Sequence, residues 1–259
     1  MHILLTNDDG VYAPGLLILK QALAPLAKLT IVAPERNYSA AGHRKTLHKP
    51  LRLEAVKLQD GTPAWMCSGA PSDCVALALL GFVSEKIDLV VSGINPYPNL
   101  GQDVTYSGTV MAALEAVIAH VPGIAVSGGI AAIEGKTPAD ILPAIRVAAD
   151  VVRAVQTHGL PSGVALNVNV PEGPLRGYRV TRQGHSIYRD ELVTRTDPWG
   201  RPYYWIGGQF PQGIEADGTD FGALAEGYVS ITPLHLDLTA YAALAELEQW
   251  EWMNQLPKP

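Results

Sequence analysis

Short apolar runs recur along the 259-residue chain, at 3–5, 29–33, 89–92, 124–127 and 164–168, each bounded by turn-forming residues. Between them, 14–26, 71–80, 108–120 and 138–157 carry apolar positions at helical spacing. Several of these segments open on or near proline, whose missing N–H costs nothing in a first turn. The apolar runs have few polar alternates, as strands covered on both faces do. Strand and helix in alternation predict an α/β domain with a wound, mostly parallel sheet between helices.

The pattern changes at Gly177. The stretch "GYRVTRQGHSIYRDELVTRTDPWGRPYYWIGG" mixes polar and β-forming residues around Asp197, Pro198 and Gly200, which predicts antiparallel hairpins. Residues 177–218 are therefore expected to form a protruding hairpin subdomain of a single domain spanning 1–259. A strand returns at 227–234, and 239–253 is expected to end the chain as a helix carrying Trp250 and Trp252. Large aromatics so late in the chain suit either an interface between subunits or packing back on their own subunit.

Composition narrows the class. With 47% hydrophobic residues the chain can bury a sizeable core and is too apolar to be disordered. A net charge of -6 excludes a constitutive nucleic-acid or anionic-membrane surface, which needs clustered Lys and Arg, but leaves room for a small polyanion in a pocket. Cys67 and Cys74 stand in no metal-spaced or CxxC pattern and are expected as reduced, buried thiols. No signal-peptide h-region follows Met1, and no uninterrupted apolar run reaches the ~18 residues of a membrane span, so a cytoplasmic location is expected.

The unusual chemistry lies where strands should end, which is where wound sheets bind ligands. Asn7-Asp8-Asp9-Gly10 sets two carboxylates side by side. Turned to one point, they favour a hard divalent cation such as Mg²⁺ or Mn²⁺; otherwise one caps the next helix and the other sits in water. In "APERNYSAAGHRKT", Ser39 can supply a neutral oxygen ligand, and His43, Arg44 and Lys45 either meet a phosphate or form a solvated run. In "VVSGINPYPNLGQDVTYSGTVMAALEA", Ser107, Gly108 and Thr109 stand where an Ala-rich helix begins. Unpaired backbone N–H groups there make an anion cradle as well as a helix cap. Ser72 and Asp73 open another helix and are explained by its dipole.

Dinucleotide GxGxxG, Walker GxxxxGK[ST] and GxSxG elements are all missing, and the histidines do not cluster. A hard-cation site beside an anion cradle is the equipment of a metal-dependent phosphoesterase.

Five motifs in order, "LLTNDDG", "APERNYS", "VVSGIN", "NLGQDVTYSGTVMAALEA" and "GYVSITPL", resemble the SurE survival-protein family across nearly the whole chain. The resemblance implies a Rossmann-like, three-layer core with a smaller hairpin region. It also implies phosphatase activity on nucleoside 5'- and 3'-monophosphates, with one divalent ion per subunit, Mg or Mn. Homodimers or homotetramers that exchange C-terminal elements are implied too. By position, Asp8, Asp9, Ser39 and Asn95 are then the metal ligands, with Asp8, Asp9 and Asn95 catalytic, and Asn99, Ser107, Gly108 and Thr109 surround the phosphate. The chain departs from the family pattern at Tyr97, where glycine is usual, and at Ala40 and Gly42.

The nucleophile expected from this reading is water activated by the ion, or an aspartate attacking directly. Water is favoured because both aspartates are committed to the ion. Two other functions fit the same equipment: hydrolysis of phosphosugars or short polyphosphate, and non-catalytic nucleotide binding.

Overall fold

The computed structural model describes residues 1–129, 138–208 and 212–250. In chain order the elements are β1 (His2–Thr6), α1 (Pro14–Leu23), β2 (Lys28–Pro34), β3 (Leu53–Lys57), β4 (Pro63–Cys67), α2 (Pro71–Leu77), β5 (Leu89–Asn95), α3 (Gly108–Ile118), β6 (Gly123–Gly128), α4 (Pro138–His158) and β7 (Ala165–Val170). Then come β8 (Tyr178–Val180), β9 (Ser186–Ile187), β10 (Asp190–Thr196), β11 (Pro202–Gly208), β12 (Gln212–Gly213), α5 (Asp220–Ala225), β13 (Val229–Leu234) and α6 (Tyr241–Leu247).

The central sheet runs β3-β4-β2-β1-β5-β6-β7-β13-β8. From β4 to β7 every neighbouring pair is parallel, while β3 and β13 run antiparallel to β4 and β7. The fold is α/β with three layers, as the alternation predicted. Successive residues of β1 feed opposite layers: Ile3 and Leu5 pack with Leu16, Leu19 and Leu23 of α1 and with α4, and Leu4 packs with Cys74, Ala112 and Ala116 of α2 and α3. Burial on both faces explains why these strands lack polar alternates. The chain leaves β1 for β2 on one side and later returns to β5 on the other. This makes a topological switch point at the carboxyl ends of β1 and β5, where Asp8, Asp9 and Asn95 stand.

Several expectations need adjusting. Helix α1 stops at Leu23, not at 26, because Pro25 cannot extend the hydrogen-bond ladder. The antiparallel pair β3 and β4 had not been anticipated, although Asp60-Gly61 between alternating segments is an ordinary hairpin signal. The hairpin subdomain begins later than Gly177: Tyr178–Val180 adds a parallel strand to the edge of the main sheet beside β13. Only β10 and β11 form the long hairpin, and β9 and β12 pair at its foot. The C-terminal helix is described from Tyr241 to Leu247 and buries none of its residues, and Trp252 lies outside the described residues. Cys67 and Cys74 are buried free thiols. Among the described residues no helix is long and apolar enough to cross a membrane.

Candidate metal and phosphate site

A cleft of about 480 Å³ opens at the switch point, lined by Asp8, Asp9, Ser39, Asn95, Asn99 and Ser107, with Asn37, Asp103, Tyr97 and Tyr106 at its margins. Three loops far apart in the chain thus bring six of the eight singled-out residues to one space. Gly108 and Thr109 are absent from that lining, for a reason that the environment of Asp8 supplies.

The β1 loop is tied down by its own side chain: Asn7 donates from Nδ2 to the Gly10 carbonyl at 2.9 Å and accepts the Gly10 N–H at 3.3 Å. Main-chain bonds from Tyr38 N–H to the Asp8 carbonyl (2.7 Å) and from Val11 N–H to the Pro34 carbonyl (2.8 Å) lock it to the loop after β2. Asp8 is buried, and its carboxylate accepts the Thr109 hydroxyl. A Cβ on Gly108 would lie 2.8 Å from Asp8 Cβ, so glycine there lets the helix start close over the carboxylate. The start of α3 is therefore already covered by the carboxyl group of Asp8. Burial pushes the Asp8 carboxyl up, opposed by the Thr109 hydroxyl and by the backbone N–H groups of Thr109 and Gly108. Asp9 is pushed up to about 6 by burial first and then by the charge of Asp8. Among the described residues it receives one long bond, of 3.3 Å, from Asn37 Nδ2.

Ser39 sits beside them because Asn37 Oδ1 accepts its N–H at 2.6 Å, while Tyr38 turns inward. Ala40 follows in a left-handed conformation (φ 57°) that non-glycine residues seldom adopt. Asn95 is aimed by an irregularity in the β5–β6 ladder between Gly93 and Asn95. A side chain at Gly93, whose φ is +132°, would place its Cβ 2.3 Å from the Val126 carbonyl oxygen. The Asn95 Nδ2 donates to the Tyr97 carbonyl at 2.6 Å, which leaves Oδ1 as the atom suited to a cation.

Asn99 is clamped by residues that sequence reasoning missed. Asn169 Oδ1 accepts its N–H at 2.7 Å, Asn167 and Asn169 donate to its carbonyl at 2.8 and 3.1 Å, and its own Nδ2 donates to Ser127 Oγ at 2.7 Å. Sheet register makes this possible, with Asn95 opposite Ser127 and Ser127 opposite Asn169. A signal existed in "LNVNV", where two asparagines fall on one face of a strand that otherwise reads as core. Ser107 caps α3, accepting the Val110 N–H at 3.1 Å, and still faces the cleft.

The basic triplet does not reach the cleft. His43 Nε2 and Lys45 Nζ pair with the buried Glu115 of α3 at 2.8 and 2.9 Å. Asp73, as expected, is structural: it accepts from Ala70 N–H and from the N–H and hydroxyl of Thr46. Asp103, unanticipated, lines the cleft and accepts the Tyr188 hydroxyl at 2.7 Å from the foot of the hairpin; burial first, and then this bond, pushes the Tyr188 phenol up to about 12.

The described lining thus holds three aspartates and no Lys, Arg or His. Two carboxylates, a hydroxyl and an amide form an all-oxygen donor set suited to a hard cation. Among the described residues there is no group of three or more His, Cys, Asp or Glu placed to hold a metal, so a softer, histidine-rich centre finds no ligands.

Comparison with known proteins agrees with this chemistry. The family model described as survival protein SurE matches residues 3–190. The 5'-nucleotidase SurE of Herpetosiphon aurantiacus is 52% identical over 98% of this chain and 100% of its own length. That of Chloroflexus aggregans is 49% identical over 97% and 100%. A crystal structure of the SurE protein from Aquifex aeolicus superposes with a TM-score of 0.77 at 39% identity, covering 96% of this chain and 98% of that one. With the family pattern matched over most of its length and near-complete relatives at about half identity, the chain belongs to the SurE family.

Proposed function

We propose that the cleft hydrolyses the phosphate monoester of nucleoside 5'- and 3'-monophosphates, using one divalent ion, Mg²⁺ or Mn²⁺, held by Asp8, Asp9, Ser39 and Asn95. The observation that carries this reading is the charge of the cleft. Among the described residues, three aspartates and no basic side chain face a space that must take a dianionic phosphate, and a cation makes that favourable. The names of the close relatives, 5'-nucleotidases, support the substrate class.

The ion supplies charge neutralisation of the phosphoryl oxygens and activation of water. The chain's own residues do the rest. Asp8 is held rigid by Thr109 and by the start of α3, so Gly108 and Thr109 act on phosphate through Asp8 and the helix terminus. Ser107 and Asn99 face the cleft and orient the phosphoryl oxygens, Asn99 being fixed by Asn167, Asn169 and Ser127. Burial raises both Asp8 and Asp9, and a cation beside them would offset the cost of their charges.

The protein acts as a cytoplasmic homodimer or homotetramer in this reading. Support comes from Leu192, Trp199, Trp205 and Ile206 of the β10–β11 hairpin, all more than half exposed, together with the unburied helix α6. Phosphate release from AMP with added Mn²⁺, and its loss on chelation, tests the catalytic reading; release that persists in EDTA would overturn it.

A further inference from the structure

The loop that carries Ser39 is held by a buried carboxylate that takes no part in the cleft itself. Ser39 and Ala40 are exposed, and Ala40 adopts a left-handed conformation (φ 57°) that an alanine leaves when it is free to do so. Such a residue keeps its shape only where its surroundings fix it. Upstream, the buried Tyr38 anchors the chain through its N–H on the Asp8 carbonyl at 2.7 Å. Downstream, the Gly42 N–H donates to the Tyr106 carbonyl at 2.9 Å, and His43 Nε2 and Lys45 Nζ meet the two carboxylate oxygens of Glu115 at 2.8 and 2.9 Å.

Glu115 is 5% exposed and is the one charged residue of α3. Burial works against its charge, and the bonds from His43 and Lys45 prevail, holding the carboxyl below its ordinary range. For stability alone an apolar side chain of similar size would serve this helix as well, so the buried ion pairs call for another role. Position supplies it. Glu115 lies seven residues, about two turns, after Gly108, which puts the two on one side of α3. The helix thus closes over Asp8 at its start and grips the Ser39 loop two turns later, tying two donors of the cleft to one rigid element.

We infer that Glu115 is a positioning residue for the metal site: through His43 and Lys45 it holds the loop in the left-handed turn at Ala40 that keeps Ser39 beside Asp8 and Asp9. The inference rests on the reading of Ser39 as a metal ligand. It gives the two basic residues that do not reach the cleft a task behind it.

Calorimetric titration of the metal-free chain with Mn²⁺ tests it. Glu115→Met removes the grip from the helix side; should that variant fail to fold, His43→Leu/Lys45→Met, at two exposed positions, releases the same loop. Either should bind Mn²⁺ about 10-fold more weakly than the native chain. Glycine enters the left-handed conformation freely, so adding Ala40→Gly to the released loop should recover about 5-fold of that loss, while Ala40→Gly in the native chain should change the affinity by less than about 2-fold. Support that is merely structural would give no such rescue. Native-like affinity in the released loop, a loss that Ala40→Gly leaves unrecovered, or an equal gain from Ala40→Gly with and without the grip would overturn the inference. Ser39→Ala separates it from the reading beneath it: that variant should lose at least as much affinity as the released loop, and Mn²⁺ binding as tight as in the native chain would overturn the ligand role of Ser39 itself.

Discussion

The cleft at the ends of β1 and β5 and the β10–β11 hairpin invert the usual placement of residues. In the cleft, polar groups are gathered, Asp8 and Ser107 buried and Asp9, Asn95 and Asn99 partly so, and most are held: Asp8 by Thr109, Asn99 by Asn167, Asn169 and Ser127, Ser39 by Asn37. In the hairpin, apolar groups are exposed and little holds them beyond the ladder itself, Ile206 at 86% and Leu192 at 72% exposure lying opposite each other. Buried polarity is costly unless satisfied, so the cleft is kept for chemistry. Exposed apolar surface is costly unless covered, which fits a role in assembly.

The largest effect should come from breaking the cleft. Asp8→Asn removes a ligand charge but keeps the shape, and kcat should fall at least ~10³-fold while the far-ultraviolet circular dichroism stays unchanged. Near-native phosphate release with Mn²⁺ would remove Asp8 from the mechanism. Next is the support behind it: Thr109→Val keeps the volume and deletes the hydroxyl on Asp8, which should weaken Mn²⁺ affinity by about 10–100-fold in a metal titration of activity.

A third test uses pH. The folded protein raises the Asp9 pKa from 3.8 to about 6 and moves Asp8 in the same direction. The native state therefore binds more protons than the unfolded chain in this window. Their contribution to stability is complete below about pH 4 and is lost as pH rises through about 6. A divalent cation replaces those protons. The melting-temperature gain on adding Mn²⁺ should thus be largest at pH 7.5 and shrink toward pH 5, with metal affinity falling about 10-fold per pH unit below 6. A gain independent of pH would separate the ion from these carboxylates. The smallest effect on catalysis should come from the hairpin: Ile206→Asp should lower the mass measured by light scattering toward that of a monomer while kcat changes less than about 2-fold. An unchanged mass would move the interface elsewhere.

Legibility in the sequence followed the range of the interactions. The parallel strands were readable because burial on both faces leaves unbroken apolar runs, and Asp8, Asp9 and Ser39 stood out as candidate oxygen donors in strand-end loops, whereas Asn95 was assigned through the family resemblance. The pair β3 and β4 was overlooked despite its Asp60-Gly61 turn, since Glu54, Lys57 and the exposed edge weaken the apolar signal. Tyr178–Val180 looked like part of the hairpin because three alternating residues do not reveal which sheet they join. His43 and Lys45 could have served a phosphate equally well until Glu115, some seventy positions away, turned out to be their partner.

By itself the sequence determined the alternation of parallel strands and helices, the strand-end loops and the oxygen chemistry they carry, because periodicity and turn propensity act over a few neighbouring residues. Only the tertiary structure decided what each donor does. Thr109 and Gly108 stand behind Asp8 instead of facing the cleft, Asn167 and Asn169 become the clamp on Asn99, and His43 and Lys45 turn to Glu115. Those roles depend on register between strands tens of residues apart and on which atoms remain exposed once the layers close, and no local pattern contains either.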